Sequence, residues 1–159
     1  MVDAGRRGFL FGRSRPVAPQ QRPPWALAEA AFIDRCTRCG DCLKACPTGI
    51  LVGGNGGFPT VDFSRGECTF CGDCVTACRP GALSRQQDAP PWRLIAVIAP
   101  NCLAEQRIEC RVCDDQCDHR AIRMSPRLGA CPLPEIDADK CTGCGACVAP
   151  CPAKAIAIR

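Results

Sequence analysis

The sequence is poor in the residues that usually build a large apolar core. Aromatic residues make up 5% of its 159 residues, and its 47% hydrophobic content includes 17 cysteines. Burial of so little aliphatic and aromatic side-chain area is too small to offset, by packing alone, the entropy lost when the chain is ordered. We therefore expect something other than packing to stabilise the fold.

Long apolar runs are also missing. A membrane-spanning helix needs roughly 18 or more apolar residues, and no segment of the sequence approaches this length. The N-terminal stretch DAGRRGFLFGR carries the twin Arg6 and Arg7 typical of an export signal, but the apolar run behind them covers only residues 9–11. Prolines and further arginines follow. We therefore expect a cytoplasmic protein without membrane insertion, and a basic, disordered N-terminal arm over residues 1–27.

Catalytic signatures are missing as well. The sequence contains no Gly-rich phosphate loop, no nucleotide fingerprint and no nucleophile beside a base. The single histidine, His119, is interpreted as a polar residue at a helix end, with metal ligation as the alternative. The arm lacks interleaved aromatic residues, and the rest of the chain shows no basic face, so no nucleic-acid partner is expected. The sequence predicts a protein that is not an enzyme and acts through a protein partner.

Cysteine is what the chain has in abundance. In a reducing cytoplasm thiols favour metal centres over disulfides. Three runs, CTRCGDCLKACP, CTFCGDCVTACRP and CTGCGACVAPCP, share the spacing C-x2-C-x2-C-x3-C, which is the bacterial ferredoxin pattern for a [4Fe–4S] cluster. A zinc ribbon would instead show two C-x2-C knuckles with a longer spacer. The three runs supply Cys36, Cys39, Cys42, Cys46, Cys68, Cys71, Cys74, Cys78, Cys141, Cys144, Cys147 and Cys151.

A fourth run, third in chain order, is irregular. Aligning Cys110, Cys113 and Cys117 with the second, third and fourth ligands puts Arg107 where the first cysteine belongs. Cys102, five residues earlier, completes the set if a longer loop returns it to the same iron corner. We predict a fourth [4Fe–4S] site here, with a degenerate site of three irons or none as the alternative. Cys131 belongs to no run; it is interpreted as a small buried hydrophobic residue, and its alternative role is to replace Cys102.

The gaps between the runs predict which of them pair. In two-cluster ferredoxins the fourth cysteine of each run ligates the other cluster. The gap from Cys46 to Cys68 is 21 residues and that from Cys117 to Cys141 is 23 residues, both suited to a strand pair between two cluster loops. Adjacent runs are therefore expected to pair, with a nested pairing of first with last as the alternative. The predicted ligand sets are Cys36, Cys39, Cys42 and Cys78; Cys68, Cys71, Cys74 and Cys46; Cys102, Cys110, Cys113 and Cys151; and Cys141, Cys144, Cys147 and Cys117.

The predicted fold is α+β, made of small, cluster-stabilised tandem modules. Short apolar steps follow each run at 49–52, 81–83, 121–124 and 155–158, so each unit is expected to run strand, cluster loop, short helix, strand. Two such units back to back are the architecture of the bacterial two-cluster ferredoxin, which the sequence resembles. The predicted domains are the arm at 1–27, a ferredoxin-like module at 28–84, a linker and strand at 85–101 and a second module at 102–159, with a strand at 92–98 in the bridge.

The arm, the irregular third run and the terminal CTGCGACVAPCP together resemble the NapF-type ferredoxins of periplasmic nitrate reductase systems, over essentially the whole chain. This resemblance implies a cytoplasmic protein that assists maturation of the molybdenum-containing catalytic subunit precursor before its export, by protein binding and by donation of electrons or cluster components. We expect the protein itself to be a monomer. The residues of DAGRRGFLFGR are interpreted as an imitation of an export signal or as a basic and apolar arm that docks on a partner through Arg6, Arg7, Phe9 and Leu10, with a solvated, disordered terminus as the alternative. The alternative function is an electron relay subunit of a dehydrogenase or quinol-oxidising complex.

Overall fold

The computed structural model describes residues 20–85 and 89–159, and it contains only short elements. Among these residues no helix has the length and apolar character to cross a bilayer. The helices are α1 (Glu29–Arg35), α2 (Asp41–Ala45), α3 (Asp73–Thr76) and α4 (Val112–Asp115), with a 3₁₀ turn at Asn55–Gly57. The strands are β1 (Leu51–Gly53), β2 (Pro59–Val61), β3 (Ala96–Ile98), β4 (Ile122–Arg127), β5 (Ala130–Ile136) and β6 (Ile156–Ile158). The mixture of small helices and strands agrees with the predicted α+β class.

The strands form three two-stranded antiparallel sheets. The hairpin of β1 and β2 and the hairpin of β4 and β5 each lie between two cysteine runs. The third sheet pairs β3 with β6, so it joins residues far apart in the chain. Sheets of two strands are marginal by themselves in water. These sheets therefore need support from the side chains, cysteines included, that pack between them.

The strand predicted in the bridge has a different place in the fold. Strand β3 is shorter than the predicted 92–98, and Ala96 lies opposite Ile158 in antiparallel register. It is therefore the first strand of the sheet in the C-terminal half (residues 89–159) and not a bridging element. Sequence adjacency suggested a linker, because the strand's partner lies about sixty residues later along the chain.

The predicted disordered arm, residues 1–27, includes a segment that is ordered, residues 20–27. Residues 1–19, which include Arg6, Arg7, Phe9 and Leu10, lie outside the described residues. Residues 20–27 are ordered as part of the N-terminal half (residues 20–85). Ala26 bridges to Leu83, and Trp25 is 7% exposed. The amide of Val61 donates a hydrogen bond to the carbonyl oxygen of Gln21 at 2.8 Å. The proline-rich composition predicted disorder, but extended Pro-rich chain also suits an edge segment beside a sheet.

Two predicted elements are weaker than expected. The apolar step at 81–83 forms only the isolated bridge of Leu83 to Ala26. The fourth run has turns at residues 146–150 instead of a helix. Pro150 explains this difference, because proline has no N–H for the helical hydrogen bond to residue 146 and its ring clashes with that carbonyl group.

The core is thin and continuous across both halves. Phe32 and Ile50, at 0% and 1% exposure, are the largest side chains that the described residues bury completely. Cysteines from all four runs belong to the same buried cluster: Cys42, Cys68, Cys74, Cys113 and Cys147. Thiol-bearing side chains thus occupy positions that aliphatic residues fill in most small domains.

Arg22 anchors the start of the described chain. Its guanidinium donates hydrogen bonds of 2.6 and 3.0 Å to the Glu29 carboxylate and lies over the rings of Phe32 and Phe58, at 4.9 and 5.3 Å from the two centroids. The hydrogen bond from Arg22 holds the pKa of Glu29 below its usual value. The ion pair and the two cation–π contacts fix residues 20–22 against α1.

Replacing Glu29 with glutamine should lower the free energy of unfolding by about 0.2–1 kcal/mol, since the carboxylate is largely exposed. The thermal midpoint should fall by about 1–3 °C in anaerobic scans at neutral pH. Because the pKa of Glu29 is lower in the folded state, its contribution is complete above the unfolded pKa of about 4.3 and disappears only as the pH falls through the folded pKa. The deficit of E29Q should therefore stay constant from about pH 8 to about pH 5.5.

The matched control is Glu105→Gln, because Glu105 and Arg127 are 3.9 Å apart and both half-exposed. This variant should leave the midpoint unchanged. An equal loss in the two variants would contradict the anchoring role of Arg22.

Candidate metal centres

Four cavities in the structure are each lined by four cysteines. We number them after the run that supplies three of the four residues. The first cavity is lined by Cys36, Cys39, Cys42 and Cys78; the second by Cys46, Cys68, Cys71 and Cys74; the third by Cys102, Cys110, Cys113 and Cys151; and the fourth by Cys117, Cys141, Cys144 and Cys147. The structure thus brings together the cysteines that the sequence grouped, with adjacent runs exchanging their fourth cysteine.

The exchange follows from local geometry. In the first run Cys42 lies within α2 and Cys46 follows directly at its end, where φ and ψ are extended. Residues four apart on a helical turn share a face and lie close together. A single short helical turn therefore carries the third and fourth cysteines of the run, and the two line neighbouring cavities.

Backbone amides are directed at the sulfur of the fourth cysteines. The Leu83 amide donates to Cys78 Sγ at 3.4 Å and the Ala121 amide to Cys117 Sγ at 3.2 Å. The Ala155 amide makes the corresponding contact with Cys151 Sγ at 3.4 Å. Hydrogen bonds to ligating sulfur raise the reduction potential of an iron–sulfur centre, and the apolar step after each run supplies these donors.

Burial controls the protonation of the third cysteines. Desolvation, with a further contribution from neighbouring thiolates, raises the pKa of Cys42 to about 11 and that of Cys74 to about 12. Burial likewise raises the pKa of Cys113 to about 11 and that of Cys147 to about 12. These thiols are neutral at pH 7 in the absence of a positive charge, so binding of a metal centre must displace their protons.

Cys46 differs from these buried thiols. Burial acts to raise its pKa, but the hydroxyl of Thr48, 3.5 Å from Cys46 Sγ, and backbone N–H groups of Ile50 and Leu51 together lower it. The fourth position of the first run is thus built to carry a thiolate, as a ligand must.

The four-cysteine cavities suit a polynuclear centre better than a single ion. Around one tetrahedral zinc, thiolates lie about 3.8 Å apart, since each Zn–S bond is about 2.3 Å. Among residues 20–85 and 89–159, no three Cys, His, Asp or Glu side chains converge closely enough to hold one metal ion. Thr142 Oγ1, beside the fourth cavity, is a buried polar atom without a hydrogen-bond partner in the described structure. A cluster sulfide is an acceptor that would satisfy this hydroxyl, so the residues present fit a [4Fe–4S] group.

The irregular third run also forms a cavity lined by four cysteines. Residues after Cys102 coil back on themselves: the Gln106 amide donates to the carbonyl of Cys102 at 3.2 Å, and the Ile108 amide donates to that of Leu103 at 2.9 Å. The longer loop is thereby compacted, and Cys102 lines the third cavity while Arg107 does not.

Arg111 replaces the glycine of the other runs because the backbone follows a different path there. Gly40 and Gly72 precede their helices with φ of 78° and 87°, whereas Arg111 precedes α4 with φ of −128°. The left-handed conformation that favours glycine is not needed at this position. Arg111 instead pairs with Asp114 at 3.2 Å.

The remaining candidates lie outside the ligand sets. Cys131 is half-buried in β5 and lines none of the four cavities. His119 is exposed at the rim of the fourth cavity, which already has four cysteines.

A group of aromatic residues near the cavities was missed by the sequence analysis. Trp25 contacts Phe70 edge-to-face, Phe70 contacts Trp92, and Trp92 contacts Phe63, with ring centroids 5.5–6.4 Å apart. The one sequence feature that could have indicated this group is Phe70, an aromatic residue inside the second run of a chain with few aromatic residues.

Protein-family comparisons match two parts of the chain. Residues 35–82 match the 4Fe-4S dicluster domain, and residues 134–157 match the 4Fe-4S binding domain. The dicluster match spans the first and second runs as one unit, and the third run lies between the two matched segments.

Whole-chain relatives extend over all four runs. The ferredoxin-type protein NapF of Escherichia coli K12 is 44% identical over 155 residues, covering 98% of this chain and 94% of the relative. NapF of Haemophilus influenzae is 49% identical over 164 residues, covering 97% and 93%. The ferredoxin-type protein NapG of Escherichia coli K12 is 35% identical over 173 residues, covering 96% and 74%.

Proposed function

The chain belongs to the family of NapF ferredoxin-type proteins, and on that premise we propose that it is a four-cluster electron carrier built from two tandem two-cluster modules. The observation that carries this proposal is the set of four cavities, each lined by four cysteines. Each cavity would hold one [4Fe–4S] cluster, which supplies one-electron redox chemistry when bound. The four cysteines of each cavity would ligate it, and backbone amides such as those of Leu83, Ala121 and Ala155 would donate to its sulfur ligands.

The sheet pattern supports the tandem arrangement. In each half the strands that flank the pair of runs are matched antiparallel, by the bridge of Ala26 with Leu83 and by the pairing of β3 with β6. A central hairpin joins the two runs of each half, β1 with β2 and β4 with β5. This repetition gives each half the same order of elements, two cysteine runs around one hairpin.

We propose further that the protein acts in the cytoplasm on the immature catalytic subunit of a periplasmic, molybdenum-containing nitrate reductase. It would bind that precursor before export and donate electrons or cluster components, without a substrate of its own. The family supplies this role, and the exposed Cys39 and Cys71 suggest where a partner would approach the first and second sites. The alternative, a relay subunit of a dehydrogenase or quinol-oxidising complex, is favoured by the number of sites, since a protein that only chaperones needs none.

The N-terminal arm is assigned to partner binding. Deletion of residues 2–19 should abolish capture of the precursor and leave the iron content unchanged. The deletion ends at residue 19 because the next three side chains form hydrogen bonds with the folded chain. Gln20 accepts from the Asn55 amide, and Gln21 donates to the carbonyl oxygen of Ile158. Arg22 donates to Glu29. Within the full chain, R6Q/R7Q should weaken capture roughly tenfold, as expected for the loss of charge-assisted contacts.

The control, R13Q/R15Q, removes the same charge from the same arm and should bind as the unaltered chain does. Capture is measured anaerobically from nitrate-grown cells of the source organism, with identification of co-purifying proteins. Recovery of the catalytic subunit with its leader supports the maturation role. Recovery of mature dehydrogenase or membrane quinol-oxidising subunits would favour the relay, and iron loss on deletion would end the assignment of the arm.

A further inference from the structure

The loops of the second and fourth runs meet at the boundary between the two halves. The amide N–H of Cys68 donates a hydrogen bond of 2.8 Å to the carbonyl oxygen of Cys144. Cys68 lines the second cavity and Cys144 lines the fourth. A residue at a candidate site of one half is thus bonded directly to a residue at a candidate site of the other, and the route between the two sulfurs consists of covalent bonds and one hydrogen bond.

Aromatic side chains enclose this junction. Phe70 lies within the second run and contacts Trp92, with ring centroids 5.5 Å apart. Trp92 Nε1 donates to the carbonyl oxygen of Thr142, within the fourth run, at 2.9 Å. Phe63 also contacts Trp92 and lies directly on Gly145, where an added Cβ would overlap its ring and come within 2.7 Å of Cε1. The close packing of Phe63 and Trp92 against the fourth run at this junction therefore depends on glycine at position 145.

Within each half the two sites are neighbours for a different reason. The third and fourth cysteines of one helical turn line different cavities, so Cys42 and Cys46 connect the first cavity to the second. Cys147 and Cys151 connect the fourth cavity to the third at the same spacing, although the fourth run has turns in place of a helix. The contacts thus link the cavities in the order first, second, fourth, third, which differs from their order along the chain.

We propose that the four sites form a single electron path in this order, and that electrons cross between the halves at the contact of Cys68 with Cys144. The proposal rests on the proposed function, because only loaded sites carry electrons. In each step one electron leaves a reduced site and enters its oxidised neighbour; no bond forms or breaks and no proton moves. The irregular third site and the first site, with its exposed Cys39, are the two ends of the path.

The test isolates the crossing in the full-length chain. C39A/C110A removes one ligand each from the first and third sites, and the preparation used is one with about eight iron atoms per chain, in which only the second and fourth sites are loaded. After reduction by dithionite, a one-electron donor, each remaining cluster is paramagnetic, and dipolar coupling between the two splits the electron paramagnetic resonance signal. Into this background we introduce Gly145→Ala, which forces the Phe63 ring away from the fourth run.

Gly72→Ala is the matched control. Gly72 occupies the same motif position in the second run, with φ of 87° against 85° for Gly145, so alanine meets the same backbone strain at both positions. A Cβ added at Gly72 would meet only Arg85 Nη1, at 3.7 Å, which is an ordinary van der Waals contact. The two variants differ in whether the junction is disturbed.

The expected result is a splitting that is unchanged in Gly72→Ala and smaller in Gly145→Ala, because dipolar coupling falls with the cube of the distance between the two clusters, with about eight iron atoms per chain in both. Equal splitting in the two variants, or no splitting in the background itself, would overturn the proposed crossing. Absence of iron and of any paramagnetic signal would instead count against the proposed function. Should C39A/C110A fail to fold, the two glycine variants are compared in the chain that keeps all sixteen cysteines of the four sites, by microwave power saturation of the electron paramagnetic resonance signal. The signal of Gly145→Ala is expected to saturate at lower power than that of Gly72→Ala. Equal saturation would overturn the crossing.

Discussion

Replacing Cys102 with alanine is expected to lower the iron content from about 16 to about 12 atoms per chain, the loss of one whole cluster. The compact turn from residue 102 to residue 108 brings Cys102 to the third cavity, where it lies with Cys110, Cys113 and Cys151. Without its thiolate one iron corner has no protein ligand. The measurement is iron and acid-labile sulfide per chain after anaerobic purification.

Cys131→Ala is the control for this experiment. Cys131 lies in β5, lines none of the four cavities and should keep the full iron content when replaced. Iron near 15 atoms in C102A, with the paramagnetic signal of an oxidised three-iron centre, would still identify Cys102 as a ligand of the third site. Loss of four irons in C131A but none in C102A would contradict the assignment.

Removal of the clusters is expected to unfold the chain. The described residues bury few large apolar side chains, and most strands have three residues. Cysteines from all four runs lie in the continuous core, so emptying the sites leaves cavities where metal and sulfide had filled space. Binding free energy of a metal centre without a preformed apo site is folding free energy.

The experiment uses ferricyanide with EDTA to destroy the clusters, and EDTA alone as the control. Far-ultraviolet circular dichroism should lose its β-sheet and helix signal after the combined treatment, and thermal scans should lose their cooperative transition. EDTA alone should change neither. An iron-free chain that keeps a cooperative transition would show that the apolar core is sufficient without the clusters.

The sequence predicted the cysteine grouping because that grouping depends on local geometry. Three ligands on one loop and a fourth one helical turn later are determined by spacing alone, and the structure places Cys78 and Cys46 at each other's cavities accordingly. The hairpin strands were also found, since apolar steps bounded by Gly, Pro and Asp are a local pattern. Ligation itself stays a prediction that the experiments above test.

Apart from the local effect of Pro150 on the fourth run, the differences between prediction and structure concern contacts over long sequence distances. The pairing of β3 with β6, the bridge of Ala26 to Leu83 and the bond from Cys68 to Cys144 each join segments that no local pattern relates. Residues 20–27 looked disordered because their prolines and arginines are typical of linkers, whereas their order comes from tertiary contacts. Such contacts become visible only when the chain is folded.

Native mass spectrometry of the anaerobically purified chain tests the central claim most directly, because it counts the intact clusters of each molecule. The account predicts one dominant species whose mass exceeds that of the polypeptide by four [4Fe–4S] clusters. A dominant species with three clusters would contradict the fourth site, and a species carrying zinc ions or disulfides in place of clusters would contradict the account as a whole.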